Sequence, residues 1–148
     1  MKRRELRGFT LTELVVVIII AGVLATIAVS RIGTGAFDAE GFANQVAAAV
    51  RYAQKIAISQ RRNVAVTISG NQLSLTYPDL GQPVHQPPGA DNFTISKSGV
   101  SLTGTGITFS ALGRPSAGTT LTVTGSDNPP TVKTITVQPE TGYVQYTP

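Results

Sequence analysis

Phe9–Val29 reads FTLTELVVVIIIAGVLATIAV, a run of 21 residues in which Glu13 carries the only charge. At 1.5 Å per residue, a helix of this length is about 31 Å long, close to the thickness of the hydrocarbon core of a bilayer. Basic residues precede the run, and one follows it closely: Lys2, Arg3, Arg4, Arg7 and then Arg31. The positive-inside rule therefore predicts one membrane-spanning helix over 9–29, with a cytoplasmic N-terminus and an exported remainder.

Three interpretations of this run compete. A cleavable secretory signal would use the small residues of Ala28-Val29-Ser30 as its cleavage site, but the apolar region of a signal is usually about 7–15 residues long and uncharged. A plain anchor would tolerate Glu13, because an acid near the membrane edge costs less than the roughly 2.5–3.5 kcal/mol expected at the bilayer centre. The third interpretation gives Glu13 a function of its own.

The eight residues Arg7-Gly8-Phe9-Thr10-Leu11-Thr12-Glu13-Leu14 resemble the prepilin processing motif of type IV pilins and type II secretion pseudopilins. The shared features are a basic leader, a glycine before the cut, an aromatic residue after it, a glutamate at the fifth mature position and an apolar run. The resemblance implies that a prepilin peptidase removes residues 1–8 by cutting between Gly8 and Phe9. It also implies that Phe9 is then N-methylated.

Simple electrostatics is consistent with a role for Glu13. Cleavage after Gly8 would leave a positive amine on Phe9 and a carboxylate on Glu13 at the edge of a medium of low dielectric constant. In a filament of packed apolar helices, the amine of one subunit can pair with Glu13 of a neighbour, which makes Glu13 a candidate for setting the register between subunits. A contact between residues four apart on one helix would also satisfy both groups. Both alternatives stay open at this stage.

Residues 30–62 show the periodicity of an amphipathic periplasmic helix. Apolar residues recur at spacings of three and four: Phe37, Phe42, Val46, Ala49, Val50, Ala53, Ile56 and Ala57. Two glycines between Ser30 and Gly35 predict a weak point, because each costs about 1 kcal/mol inside a helix.

Residues 63–148 change to the period of two that is typical of strands, beginning with the alternation of Val64–Ser69. Gly70-Asn71 predicts a two-residue hairpin before the next strand, and Pro78–Asn92 predicts a loop. Further strands are predicted at Phe93–Ser96, Val100–Thr103, Ile107–Ser110, Thr120–Thr124, Val132–Gln138 and Tyr143–Tyr146. The predicted fold class is α+β: an N-terminal transmembrane pilin helix extended into an amphipathic helix, which packs on an antiparallel β-sheet head.

Three stretches after residue 30 are similar to the GspH/FimT family of minor pseudopilins and minor pilins, with MSHA-type minor pilins nearby: Phe42–Ile58, Gly106–Pro115 and Ile135–Val144. The resemblance implies a structural subunit of the bacterial inner membrane that helps to initiate or cap a type IV pilus or a type II secretion pseudopilus. The implied partners are a prepilin peptidase and other major and minor pilins or pseudopilins.

Some FimT members bind DNA in natural transformation through a C-terminal Gly-Arg-x-Arg motif. At the matching place this chain reads Gly142-Tyr143-Val144-Gln145, without either arginine. Loss of two cations that contact phosphates weakens nonspecific binding to DNA. The sequence therefore favours the structural role, and DNA binding is kept as the alternative.

The composition argues against an enzyme. Of the net charge of +4, the first eight residues supply +3, so the high isoelectric point mostly reports the leader. The chain has no cysteine and one histidine, His85, and its seven acidic residues beyond the leader are widely scattered. We predict no catalytic residue, no metal site and no cofactor.

Overall fold

The computed structural model describes residues 9–29, 35–86 and 91–147, with the side chains of the first segment described through Thr26. Contacts divide the chain into two units, Met1–Gly33 and Thr34–Pro148. The first unit contains helix α1, Leu11–Val29. None of the helices in the described residues meets the length and hydropathy of a membrane span. The predicted leader, residues 1–8, and most of the predicted weak point, residues 30–34, lie outside the described residues.

The second unit begins with helix α2, Gly35–Gln60, which falls within the predicted helix over 30–62. One face of α2 is buried, and small residues make up much of it: Ala39, Phe42, Ala43, Val46, Ala47, Ala49, Val50, Ala53, Ile56 and Ala57. The prediction was wrong for Phe37, which is 75% exposed. Phe37 precedes Phe42 by five residues, about 140° around a helix of 3.6 residues per turn, so it lies away from the buried face, to which Gly35 and Ala39 belong.

In the described residues, nine strands follow α2: β1 Val64–Ser69, β2 Gln72–Tyr77, β3 Gln82–Pro83, β4 Thr94–Ser96, β5 Val100–Thr103, β6 Ile107–Phe109, β7 Thr119–Gly125, β8 Val132–Val137 and β9 Val144–Thr147. The predicted hairpin is confirmed, because Ser69 pairs with Gln72 across Gly70-Asn71. The prediction missed β3, a two-residue strand inside the expected proline-rich loop. A strand of two residues, one of them proline, is too short to show the alternation of apolar and polar residues on which the prediction rested.

The strands form two antiparallel sheets where the sequence predicted one. The first sheet has the order β3-β2-β1-β6, with β4 also paired to β2, and the second has the order β5-β7-β8-β9. The chain leaves the first sheet after β4 and returns to it at β6, so strands that are neighbours in sequence belong to different sheets. The pairing partner of a strand is a long-range property that a local pattern does not contain.

The core lies between α2 and the two sheets, since α2 contacts strands of both. Phe42 from the helix and Phe109, Leu75 and Leu121 from the strands are fully buried. Each such side chain stabilises the fold by about 1.5–3 kcal/mol through the area that it removes from water. The fold class predicted from the sequence, a helix packed on an antiparallel β head, is confirmed.

Candidate processing and assembly site

The first turn of α1 is built by Thr10 and Glu13. The backbone N–H of Glu13 donates to Oγ1 of Thr10 at 3.3 Å, and the N–H of Leu14 donates to the carbonyl oxygen of Thr10 at 3.2 Å. Thr10 is therefore the N-cap residue, and Glu13 stands three positions after it. A threonine followed three residues later by a glutamate is the sequence signature of a capping box.

The sequence analysis missed this cap on Thr10, although Thr-x-x-Glu is a readable signal for it. An acidic side chain in the first turn also interacts favourably with the positive end of the helix dipole. The cap fixes the start of the helix at Leu11, one turn from the predicted cleavage point. The position of Glu13 relative to Phe9 is thus set by backbone structure as well as by spacing.

The structure places the predicted site residues as follows. Phe9 precedes the helix and is 76% exposed, Glu13 is exposed in the first turn, and Gly8 lies outside the described residues. Within the described residues no ion pair involves Glu13. Its pairing with the amine of Phe9, on the same or a neighbouring subunit, stays a prediction.

The surface of α1 is apolar on every side. The large apolar side chains from Leu11 to Leu24 are between 47% and 79% exposed. A helix that is apolar all round is stable only in lipid or among other apolar helices. The exposed apolar surface of α1 therefore needs to be covered by lipid or by other apolar helices.

In the second unit, charged groups of α2 fasten the helix to the strands. Glu40 accepts a hydrogen bond from the hydroxyl of Tyr146 at 2.6 Å and forms an ion pair with Lys133 at 2.6 Å. The hydrogen bonds from Lys133 and then Tyr146 lower the pKa of Glu40 below its usual value. Burial, and then the hydrogen bond to Glu40, raise the pKa of Tyr146 to about 12. Asp38 pairs with Lys97 at 3.0 Å.

Near the C-terminal end of α2, Gln54 joins two loops. Its Nε2 donates to the carbonyl oxygens of Gly113 at 2.9 Å and Thr141 at 3.0 Å. Gly142 follows with a φ of +69°, and a Cβ there would lie 2.5 Å from Nε2 of Gln54. The glycine that the sequence aligned with the DNA-binding motif of FimT is therefore required here by close packing and backbone conformation.

His85 forms an isolated bridge with Asn92, and the described residues contain no cluster of side chains suited to hold a metal ion.

A capped apolar helix, followed by a helix packed on antiparallel sheets, defines the class of pilin-like filament subunits. The family model of the type II transport protein GspH matches residues 43–142, and the model of the prokaryotic N-terminal methylation motif matches residues 3–29. The chain therefore belongs to the GspH family of minor pilins and pseudopilins.

Individual relatives agree with this assignment. The chain is 36% identical over 113 residues to the type IV narrow pilus major component PilA5 of Thermus thermophilus, a match that covers 66% of this chain and 92% of PilA5. The minor pilin FimU of Pseudomonas aeruginosa has the same fold, with a TM-score of 0.60, 18% identity, and coverage of 78% of this chain and 92% of FimU. The minor pseudopilin EpsH of the Vibrio cholerae type 2 secretion system matches with a TM-score of 0.62, 18% identity, and coverage of 74% and 96%.

The recognition of a GspH/FimT-type pilin from the leader and three later segments is confirmed. The family is one of structural subunits, and membrane anchoring is expected of its members. None of these comparisons supports the DNA-binding alternative.

Proposed function

We propose that this chain is a minor pilin or pseudopilin that a prepilin peptidase cleaves between Gly8 and Phe9 and methylates on Phe9. It then assembles with other pilins, where it helps to initiate or cap a type IV pilus or a type II secretion pseudopilus. The observation that carries the proposal is the exposure of apolar side chains on every side of α1. Such a helix fits lipid before assembly and a bundle of similar helices afterwards.

The proposed topology is a single pass through the bacterial inner membrane. Residues 1–8 form the leader, 9–29 the span, 30–62 the periplasmic amphipathic helix and 63–148 the β-rich head. The basic residues before the run support a cytoplasmic N-terminus. The peptidase would then meet its cleavage site on the cytoplasmic side, next to the capped start of α1.

In this proposal Glu13 compensates the charge of the methylated amine. Methylation keeps the positive charge on Phe9, so an apolar filament core would contain one amine and one carboxylate per subunit. Leaving either charge unpaired in such a medium costs several kcal/mol in general, which favours one longitudinal position of neighbouring subunits over the others.

A role as major subunit is the second candidate, because the relative PilA5 is described as the major component of a narrow type IV pilus. Quantitative mass spectrometry of sheared filaments separates the two roles. A minor subunit is present at a small fraction of the major pilin, whereas a major subunit dominates the preparation.

The assembly proposal predicts the behaviour of three variants at one position. Glu13→Gln and Glu13→Ala are expected to reach the membrane but to be depleted from sheared filaments about tenfold or more, because the buried amine loses its partner. Glu13→Asp keeps the charge and is expected to retain part of the incorporation. Immunoblots of the membrane and filament fractions measure membrane insertion and incorporation into filaments for each variant. Thr12→Ala is the control in the same helical turn.

Equal incorporation of Glu13→Gln and the unmodified chain would contradict the pairing. The capping box alone cannot explain a strong defect in Glu13→Gln, since glutamine also serves at the third position of a capping box. The charge-neutral substitution therefore separates the electrostatic role from the local one.

A further inference from the structure

An open cavity of about 530 Å³ lies between α2 and β4. We call it the α2–β4 groove. Ala48, Ala49 and Tyr52 from the helix and Phe93 and Ile95 from the sheet edge supply its apolar lining. The rings of Tyr52 and Phe93 stack with centroids 5.2 Å apart, which fixes the width of the groove at this point. The groove does not involve the N-terminal processing site.

The strand that brings Ile95 to the groove, β4, lies at an edge of the first sheet. The N–H of Leu75 donates to the carbonyl oxygen of Phe93 at 3.1 Å, and the register pairs Leu73 with Ile95. Antiparallel hydrogen bonding alternates along a strand, so the N–H and C=O groups of Thr94 and Ser96 point away from β2. Within the described residues β4 pairs with no other strand. This edge can accept a further strand.

The opposite wall carries two cations that form no ion pair within the part of the chain that the structure describes. Arg51 and Lys55 line the groove one helical turn apart. The ion pairs found in the described residues use Lys97, Arg114 and Lys133, and none of them uses Arg51 or Lys55. Arg51 donates only to the carbonyl oxygen of Val144 there, at 3.1 Å. The groove thus combines an apolar lining with uncompensated positive charge.

We propose that the α2–β4 groove binds an extended peptide segment that carries a carboxylate side chain and is supplied by another filament subunit. The backbone of the segment would pair with Thr94 and Ser96, its apolar side chains would cover Tyr52, and its carboxylate would meet Lys55. The helical wall from Gln45 to Lys55 is about 15 Å long, which matches four to five residues of a strand.

The identity of the partner as a filament subunit rests on the proposed function, whereas the binding of a peptide does not. A single-stranded nucleic acid fits the groove less well. Aromatic platforms for bases need free ring faces, and Tyr52 and Phe93 each use one face on the other. The free strand edge has no use in nucleic-acid binding, but it is the main element of strand addition.

The test uses the full chain in detergent micelles and a phage-displayed library of random octapeptides. Peptides that are enriched on the chain are synthesised with a fluorescein label, and their binding is measured by fluorescence anisotropy. We expect the enriched peptides to share an aspartate or glutamate between alternating apolar residues. Lys55→Gln is expected to weaken their binding about tenfold, because a charge-assisted contact is lost.

Two controls make the result specific. Arg114→Gln removes one positive charge from the head without touching the groove and is expected to leave binding unchanged. Peptides N-methylated at alternate amides keep their side chains but lose strand pairing, and we expect them to bind at least about tenfold more weakly. The fold of each variant is checked by tyrosine fluorescence.

Four outcomes would overturn the proposal. They are the absence of enriched peptides, enrichment without an acidic residue, equal losses in Lys55→Gln and Arg114→Gln, and Lys55-dependent binding of a dodecamer of thymidylate that displaces the peptides. None of them bears on cleavage at Phe9 or on the Glu13 variants. Failure of this inference is therefore distinguishable from failure of the proposed function.

Discussion

At the end of α2, Arg61 adopts a backbone conformation that is unusual for a residue with a side chain. Its φ is 50°, in the left-handed region. The N–H of Arg62 donates to the carbonyl oxygen of Ala57 at 3.0 Å, and that of Arg61 donates to Ile58 at 3.3 Å. This is the bonding pattern of a Schellman motif, in which glycine usually occupies the position of Arg61.

Arg61→Gly is expected to stabilise the head. The left-handed conformation costs a non-glycine residue about 1–2 kcal/mol, and the extra freedom of glycine in the unfolded chain offsets roughly half of the gain. We predict a net increase of about 0.5–1 kcal/mol in the free energy of unfolding. All four tyrosines lie in the second unit, Thr34–Pro148, so their fluorescence during urea denaturation of the full chain in micelles measures this free energy. Arg62→Gly is the control, and a stability unchanged or lowered by Arg61→Gly would contradict the account.

The contacts of Glu40 predict a pH dependence. Lys133 and Tyr146 lower the pKa of Glu40 from its usual 4.5, so its stabilising contribution is present above pH 4.5 and is lost as the pH falls through the lowered pKa. Glu40→Gln should therefore be less stable than the unmodified chain at pH 7, and the difference should shrink in acid. The pKa of Tyr146 is raised to about 12 from 10.0. The hydroxyl of Tyr146 therefore stabilises the fold fully below pH 10, and this stabilisation is lost as the pH rises towards 12.

Thermal unfolding of both chains across this pH range measures the effect. Glu140→Gln is the matched control, because it removes a carboxylate from an ion pair whose side chains are 63% and 75% exposed. Such a surface pair contributes only about 0–1 kcal/mol. Parallel stability profiles for Glu40→Gln and the unmodified chain would contradict the proposed coupling between α2 and the second sheet.

At the scale of secondary-structure elements, α2 has two faces with different requirements. Ala53 is fully buried against the sheets, whereas Ala48 on the same helix is exposed in the α2–β4 groove. Alanine on the buried face allows the helix to approach both sheets closely. The same residue type therefore serves packing at one position and an open surface at the other.

Ala53→Leu is expected to lower the free energy of unfolding by about 1–3 kcal/mol, because the added carbons have no space in a packed core. Ala48→Leu adds the same atoms on the open side and should change stability by no more than about 0.5 kcal/mol. Tyrosine fluorescence in urea compares the two variants directly. Similar losses at both positions would show that the groove side of α2 is packed.

The elements differ in how far the sequence predicted them. Local alternation and the Gly70-Asn71 turn predicted β1, β2 and their hairpin, because both signals lie within a few residues. The division into two sheets was not predicted, since the pairing of β5 with β7 joins segments separated by the whole of β6. Phe37 was wrongly placed on the buried face, because its spacing of five residues from Phe42 turns it about 140° away from that face.

At the scale of the whole molecule, the two units differ in whether their apolar side chains are buried. The second unit, from Thr34 onward, buries most of its large apolar side chains, whereas those described for α1 are exposed. The processing motif could be predicted from the sequence because Gly8, Phe9 and Glu13 lie within six residues of one another. The α2–β4 groove could not, because Lys55 and Ile95 meet only after the sheet has formed.

In the proposed function, this chain enters the pilin pathway through cleavage between Gly8 and Phe9. The most direct test is mass spectrometry of the N-terminus of the membrane-bound product, made in cells with and without a prepilin peptidase. The account predicts a product that begins at N-methylated Phe9 only when the peptidase is present. A product that still begins at Met1 in its presence, or a soluble product that begins near Arg31, would contradict it.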